Sequence, residues 1–218
     1  MALYHGTSSK HLQSIIKYGL KPRGDQNSNW STASQKQYVY LTSTYPLYFA
    51  SQAVSGKQKY LIIEVDETMV DENYCYPDDD FIWWCYSKQA KNRPTLEEAG
   101  KLVQFNQNLW QKSLMMIGCI AYKNNIPFNA IKRILQIDFN KMNSQERMLF
   151  LSFIDVSVTP VAFPCRKKSF EKQLGYLFSE KDEWWDFNST PDETIAQYKA
   201  MEDNRNVWSE IIYERKLK

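Results

Sequence analysis

Apolar and polar positions change period along the chain, and each change marks an element. Ala2 to Tyr4 is a short apolar start that reads as a strand. Ser8 or Ser9 caps a helix whose Leu12, Ile15, Ile16 and Leu20 share one face, with Gly19 where a helix ends. Lys21 to Lys36 is polar and turn-rich, so a loop. Tyr38 to Thr42 is β-branched and aromatic, hence a strand. Pro46 opens the next helix, which runs to about Val54. Lys59 to Val65 is a further strand. Asp66 to Trp84 is acidic and aromatic without a clear period and reads as a long loop. Asn92-Arg93-Pro94 marks a turn, and Thr95 with Glu97 and Glu98 starts a helix that continues to Trp110. Ser113 to Tyr122 reads as strand after a helical turn. Ala130 to Ile134 reads as a helical turn and Leu135 to Phe139 as strand. Ser152 to Phe163 holds one more strand, and the chain beyond Phe170 is polar and helical, with Trp184 and Trp185 in it. Strands separated by unequal helices and loops predict an α+β fold. The expected domain is 1–163, followed by a helical C-terminal extension over 164–218.

Composition narrows the class. The chain has 218 residues, 43% of them hydrophobic, enough to bury a core. No apolar run approaches the roughly 18 residues that would span a bilayer. The start MALYHGTSSK lacks the basic and apolar stretches of a signal peptide, so a cytoplasmic protein away from membranes is expected. Cys75, Cys85, Cys119 and Cys165 form no CxxC pair and no zinc spacing, and read as reduced thiols. Net charge is only +2, but it is unevenly placed. Glu64 to Asp80 holds eight acidic residues and no basic one, whereas Lys123 to Lys172 holds nine Lys or Arg against four Asp or Glu. Such asymmetry creates a basic face at low net charge. Fourteen Tyr and seven Trp add rings on which bases stack where they are exposed.

Three motifs follow in order. Tyr4-His5-Gly6-Thr7 ends the opening strand, the first helix closes on Gly19-Leu20-Lys21-Pro22, and Val39-Tyr40-Leu41-Thr42 precedes a helix containing Ala50 and Ala53. This ordered set resembles the NAD-binding half of the ADP-ribosyltransferases of the diphtheria-toxin and poly(ADP-ribose) polymerase type, and is similar to the RNA 2′-phosphotransferases of the same fold. The resemblance implies split mixed or antiparallel sheets with flanking helices, and NAD as cofactor. It implies that His5 bonds a ribose hydroxyl and that Gly6 lets bare backbone approach the nicotinamide amide. Thr7 adds a hydroxyl, Tyr40 lines the nicotinamide pocket, and Thr42 and Tyr48 lie nearby. Arg23, just after the first helix, stands where a pyrophosphate would pass. The chemistry implied is cleavage of the nicotinamide–ribose bond through an oxocarbenium-like centre, by positioning and electrostatics.

The resemblance continues through Trp110-Gln111-Lys112-Ser113-Leu114, Ile117 to Tyr122 and Asn125-Ile126-Pro127. Active transferases begin that strand with a glutamate, but Gly118 and Cys119 stand at the position here. Three readings remain open. Glu97, Glu98 or Glu64 supplies the acid; Gln111 or Ser113 takes the role without a carboxylate; or NAD is bound without turnover. Asp78-Asp79-Asp80 reads as an exposed acidic loop, because consecutive carboxylates do not converge easily on one ion, and no metal is expected. His11 reads as a surface residue and Arg166-Lys167-Lys168 as a solvated run. The expected activity is transfer of ADP-ribose to RNA or DNA rather than protein, as in bacterial transferase toxins and phage-defence systems, with a neutralising protein as a further partner. The alternatives are an RNA 2′-phosphotransferase-like enzyme, an NAD glycohydrolase and a non-catalytic binding module.

Overall fold

A computed structural model describes residues 2–25, 34–88, 94–154, 167, 171, 174–175, 177–178 and 205–216. Its seven strands are β1 (Leu3–Ser8), β2 (Val39–Thr42), β3 (Tyr60–Val65), β4 (Cys75–Pro77), β5 (Cys119–Tyr122), β6 (Ile131–Ile137) and β7 (Ser209–Glu214). They form one sheet in the order β4-β5-β2-β1-β3-β6-β7, and every neighbouring pair is antiparallel. The helices are α1 (Leu12–Tyr18), α2 (Pro46–Ala53), α3 (Asp79–Ser87), α4 (Leu96–Leu102), α5 (Trp110–Ile117) and α6 (Ser144–Ile154). The chain is therefore α+β, with an antiparallel sheet. Among the described residues no helix is long and apolar enough to cross a membrane.

The sheet divides the core by side-chain alternation. Leu3, Val39, Leu41, Leu61, Ile63 and Ile120 face Ile15 and Leu20 of the α1 region. On the opposite face Tyr4, Ile62 and Leu135 pack on Leu47 and Ala50 of α2 and on Phe150 of α6. Beside them, Cys119 and Ala121 pack on Phe81, Ile82, Ala99 and Ile117 of α3 to α5. Gly19 ends α1 with a φ of 75°, and a side chain there would overlap the Ile126 carbonyl; Leu20 and Ile126 exchange main-chain hydrogen bonds of 2.8 Å.

Several expectations are corrected by packing. Ser113 to Ile117 is helix rather than strand, because Ser113 and Ile117, four residues apart, share the buried face of α5. Gly118, at φ 70°, then stops the helix and releases β5. Ile131 to Ile134, expected to be helical, is strand, preceded by a single 3-10 turn over Phe128–Ala130. The C-terminal extension is not helical throughout: Ser209–Glu214 is β7, paired with β6 at the sheet edge. Most of the strand expected over 152–163 lies outside the described residues, as do Trp184 and Trp185; the chain to Ile154 is α6.

Candidate active site

β1 and β2 scarcely pair. β1 runs against β3 along its whole length, Leu3 opposite Val65 to Ser8 opposite Tyr60. β2 runs against β5 from Val39 opposite Tyr122 to Thr42 opposite Cys119. Between β1 and β2 the register holds Tyr4 opposite Thr42 alone. The sheet is thus two ladders joined at one pair, and beyond Tyr4 the β2-facing edge of β1 has no ladder partner among the described residues.

His5 sits at this parting. Its Nδ1 lies 2.9 Å from the Tyr40 carbonyl, so the imidazole serves that oxygen where a strand neighbour would have done. A carbonyl only accepts, so Nδ1 carries the proton. Burial depresses the pKa of His5, the Tyr40 bond opposes this, and His11 adds a small depression. The ring is therefore neutral at pH 7, with its Nε2 lone pair left as an acceptor. Alternation places the His5 side chain on the α1 face with Leu3, and that of Tyr40 on the α3 face, opposite to Val39 and Leu41. The two predicted residues share the parting and one hydrogen bond, but their side chains leave the sheet on opposite faces.

Gly6 has a different use from the expected one. A side-chain carbon there would overlap the Pro46 carbonyl and lie 2.6 Å from the Ala50 amide nitrogen. The missing side chain lets α2 rest directly on β1, so on that face the space goes to a helix and not to a ligand. Thr7 is buried in β1 opposite Leu61. Thr42 is wholly engaged: Oγ1 donates to the Gly118 carbonyl (2.9 Å) and accepts from the Thr44 and Tyr45 amides (3.1 and 3.0 Å), fixing the turn from β2 into α2.

Tyr40 links the parting to the acidic cluster that the sequence predicts as an exposed loop. Its hydroxyl accepts from the Gln35 amide (3.1 Å) and donates to Asp79 Oδ2 (3.4 Å). Asp78-Asp79-Asp80 is not an exposed acidic loop. Asp78 is 5% exposed and caps α3, its Oδ1 accepting from the Asp80 amide at 2.9 Å. The Asp78 amide donates to Ser113 Oγ (3.0 Å), which donates in turn to the Cys119 carbonyl (2.7 Å). Asp79 is half-buried and Asp80 reaches solvent. Burial, and then their mutual repulsion, push Asp78 well above the carboxylate range and raise Asp80 to about 6. Asp79 is also raised by burial, but hydrogen bonds from main-chain amides, Asp78 and Tyr40 oppose the rise. Tyr48 faces the same cluster, its hydroxyl raised first by burial and then by Asp80. Among the described residues no Lys, Arg or His forms an ion pair with any of the three.

The remaining candidates lie apart or are otherwise occupied. Glu98 completes a capping box with Thr95, and Glu97 pairs with Lys101 at 2.9 Å on the exposed side of α4. Glu64, 2% exposed, is bound by Lys132 and Arg133 across β3 and β6. Arg23 donates to the Ser34 carbonyl at 2.6 Å, and Gln111 is exposed on α5. His11 is half-buried beside α1. Cys75, Cys85 and Cys119 are free thiols.

No family model matches the chain, and no curated protein matches it. Among solved structures it is similar to EcPltA, at 14% identity and a TM-score of 0.33, over 62% of this chain and 75% of that one. A likeness this distant carries no argument here, and the functional reading stands on the residues themselves.

Proposed function

We propose that the chain is an NAD-dependent ADP-ribosyltransferase acting on a nucleic acid, RNA or DNA. The observation that carries the reading is the parting of β1 and β2 at His5. The signature His5-Gly6-Thr7 lies on the edge that β2 leaves unpaired, and Tyr40 stands on the other side of the gap. A neutral imidazole with Nε2 free to accept suits a ribose hydroxyl, and unpaired strand amides and carbonyls suit a carboxamide. Tyr40 and Tyr48 flank the same gap from its α3 face. NAD would supply a glycosidic bond whose carbon becomes positively charged as the bond breaks; the protein would orient it and balance that charge. Gly6 fits less directly, since α2 occupies the space of its missing side chain.

A nucleic-acid acceptor is favoured by the α1 surface on the His5 face. Tyr18 is 47% exposed there, with the Lys17 and Lys21 ammonium groups 4.8 and 4.1 Å from its ring centre, and Lys10 precedes the same helix. Cations around an exposed ring are the elements of single-strand binding. The test is nicotinamide release from NAD, alone and with RNA, DNA or protein. The expected result is release stimulated by nucleic acid and reduced about a hundredfold by His5→Ala. Release without transfer to any acceptor would identify an NAD glycohydrolase, and no release under any condition would refute the reading.

A further inference from the structure

The Asp78–Asp80 cluster has chemistry that no structural role absorbs. Asp78 caps α3, and that accounts for one carboxyl. Asp79 and Asp80 remain, on the Tyr40 and Tyr48 side, in a crowded setting without a basic partner among the described residues. Carboxylates gathered in this way raise the free energy of the empty protein unless a positive charge arrives. The register explains how they reach the site. β4 pairs with β5 with Pro77 opposite Ile120, so the next residue, Asp78, leaves the sheet beside Cys119 and turns α3 toward Tyr40. A carboxyl is thereby delivered, from the adjacent strand, to the place where β5 itself offers only Gly118 and Cys119.

The two remaining carboxyls differ. Asp79 collects the Tyr40 hydroxyl, the Asp78 side chain and main-chain amides of the α3 N-terminus, all of which favour its anion. Asp80 has no such bonds among the described residues; it reaches solvent and stands beside Tyr48. Paired carboxyls whose surroundings separate their proton affinities take different roles in one reaction. We infer that Asp79 is the fixed anion facing the positive charge of the bound nicotinamide riboside and Asp80 the base that takes the acceptor's proton, an assignment that rests on the ADP-ribosyl-transfer reading above. In the step concerned, the bond between the ring nitrogen and the ribose carbon breaks, with both electrons leaving on nicotinamide. The acceptor's O or N bonds to that carbon, and its proton passes to Asp80.

Two measurements on the full chain test this. The first is binding, without turnover, of NAD and of NADH by calorimetry. The oxidised ring is cationic and the reduced ring is not, so the wild-type chain is expected to prefer NAD about tenfold, and Asp79→Asn to remove that preference while still binding NADH. The second is nicotinamide release with water as acceptor, followed from pH 5 to 8. Asp79→Asn is expected to lose about a hundredfold in rate. Release by the wild type is expected to rise through about pH 6, as Asp80 ionises, and Asp80→Asn to flatten that limb. Among the described residues the titratable groups facing Asp80 are Asp78 and Asp79, with Tyr48 and Cys119; of these Asp78, Tyr48 and Cys119 are held neutral over that range. Asparagine is isosteric, and melting curves confirm that each variant is folded. Wild-type release with equal binding of NAD and NADH, or an Asp79→Asn variant within threefold of the wild-type rate, overturns the assignment and leaves the transferase reading standing. No release and no NAD binding by the wild type removes both.

Discussion

Asp80→Asn isolates the electrostatic claim from the functional one. The substitution removes a charge and keeps the shape. In the folded chain burial and then Asp79 raise the pKa from 3.8 to about 6, whereas the unfolded chain keeps the ordinary value. The folded state therefore binds the proton more tightly than the unfolded state. This contribution to stability is fully present below pH 3.8 and is lost as pH rises through about 6. At 1.36 kcal/mol per pH unit the difference has a ceiling of about 3 kcal/mol. The side chain reaches solvent, so screening reduces this to about 1 kcal/mol. Asparagine carries no such penalty at any pH. The variant is expected to match the wild type at pH 4 and to melt about 2–4 °C higher at pH 8, the shift that 1 kcal/mol gives in a chain of this size. Calorimetric melts of both proteins at pH 4, 6 and 8 measure it. An Asp80→Asn variant less stable at pH 8, or displaced equally at all three values, would show that Asp80 has a favourable cationic partner and that the cluster is not uncompensated.

Three further outcomes follow from the same geometry. Gly6→Ala places a carbon against the Pro46 carbonyl and Ala50 amide, both main chain, so α2 must move; the expected loss is about 2–3 kcal/mol by urea titration, and an unchanged midpoint would show that α2 is not seated on β1. Glu64→Gln removes the buried carboxylate that Lys132 and Arg133 share and is expected to cost about 3 kcal/mol, most of which Glu64→Gln with Arg133→Met recovers in a double-mutant cycle. Glu97→Gln with Glu98→Gln is expected to loosen the start of α4, seen as faster amide exchange there, with nicotinamide release within twofold of wild type; a loss of a hundredfold would restore these residues as the acid.

Elements with one clear hydrophobic period were legible in the chain. α1 shows its face through Ile15 and Leu20, closed by Gly19, and β3 shows a run of apolar residues buried on both faces. Elements whose environment overrides the period were not. The apolar run Leu114 to Ile117 predicts strand in α5, and only the burial of Ser113 and Ile117 on one face reveals the helix. The register of β7 on β6 lies beyond any local pattern, since it joins segments more than seventy residues apart.

The acidic segment shows most clearly why part of the site was hidden. After Asp80, α3 reads Phe-Ile-Trp-Trp-Cys-Tyr, in which Phe81 and Ile82 are buried and the next four are half-buried. A helix apolar nearly all round has no period to detect. The local signal was nonetheless present: Asp78 followed by two acids and then apolar residues is an N-cap with an acidic first turn. Recognising it would have given the helix but still not the site. Asp79 lies 39 residues from Tyr40 and 40 from Cys119, and what joins the three is β4 lying against β5 and β5 against β2. The start of β5 is one position on one strand, whereas a site needs only that a carboxyl reach the point where charge develops. In an antiparallel sheet the end of the neighbouring strand reaches that point equally well, and here β4 runs out into Asp78 beside Cys119.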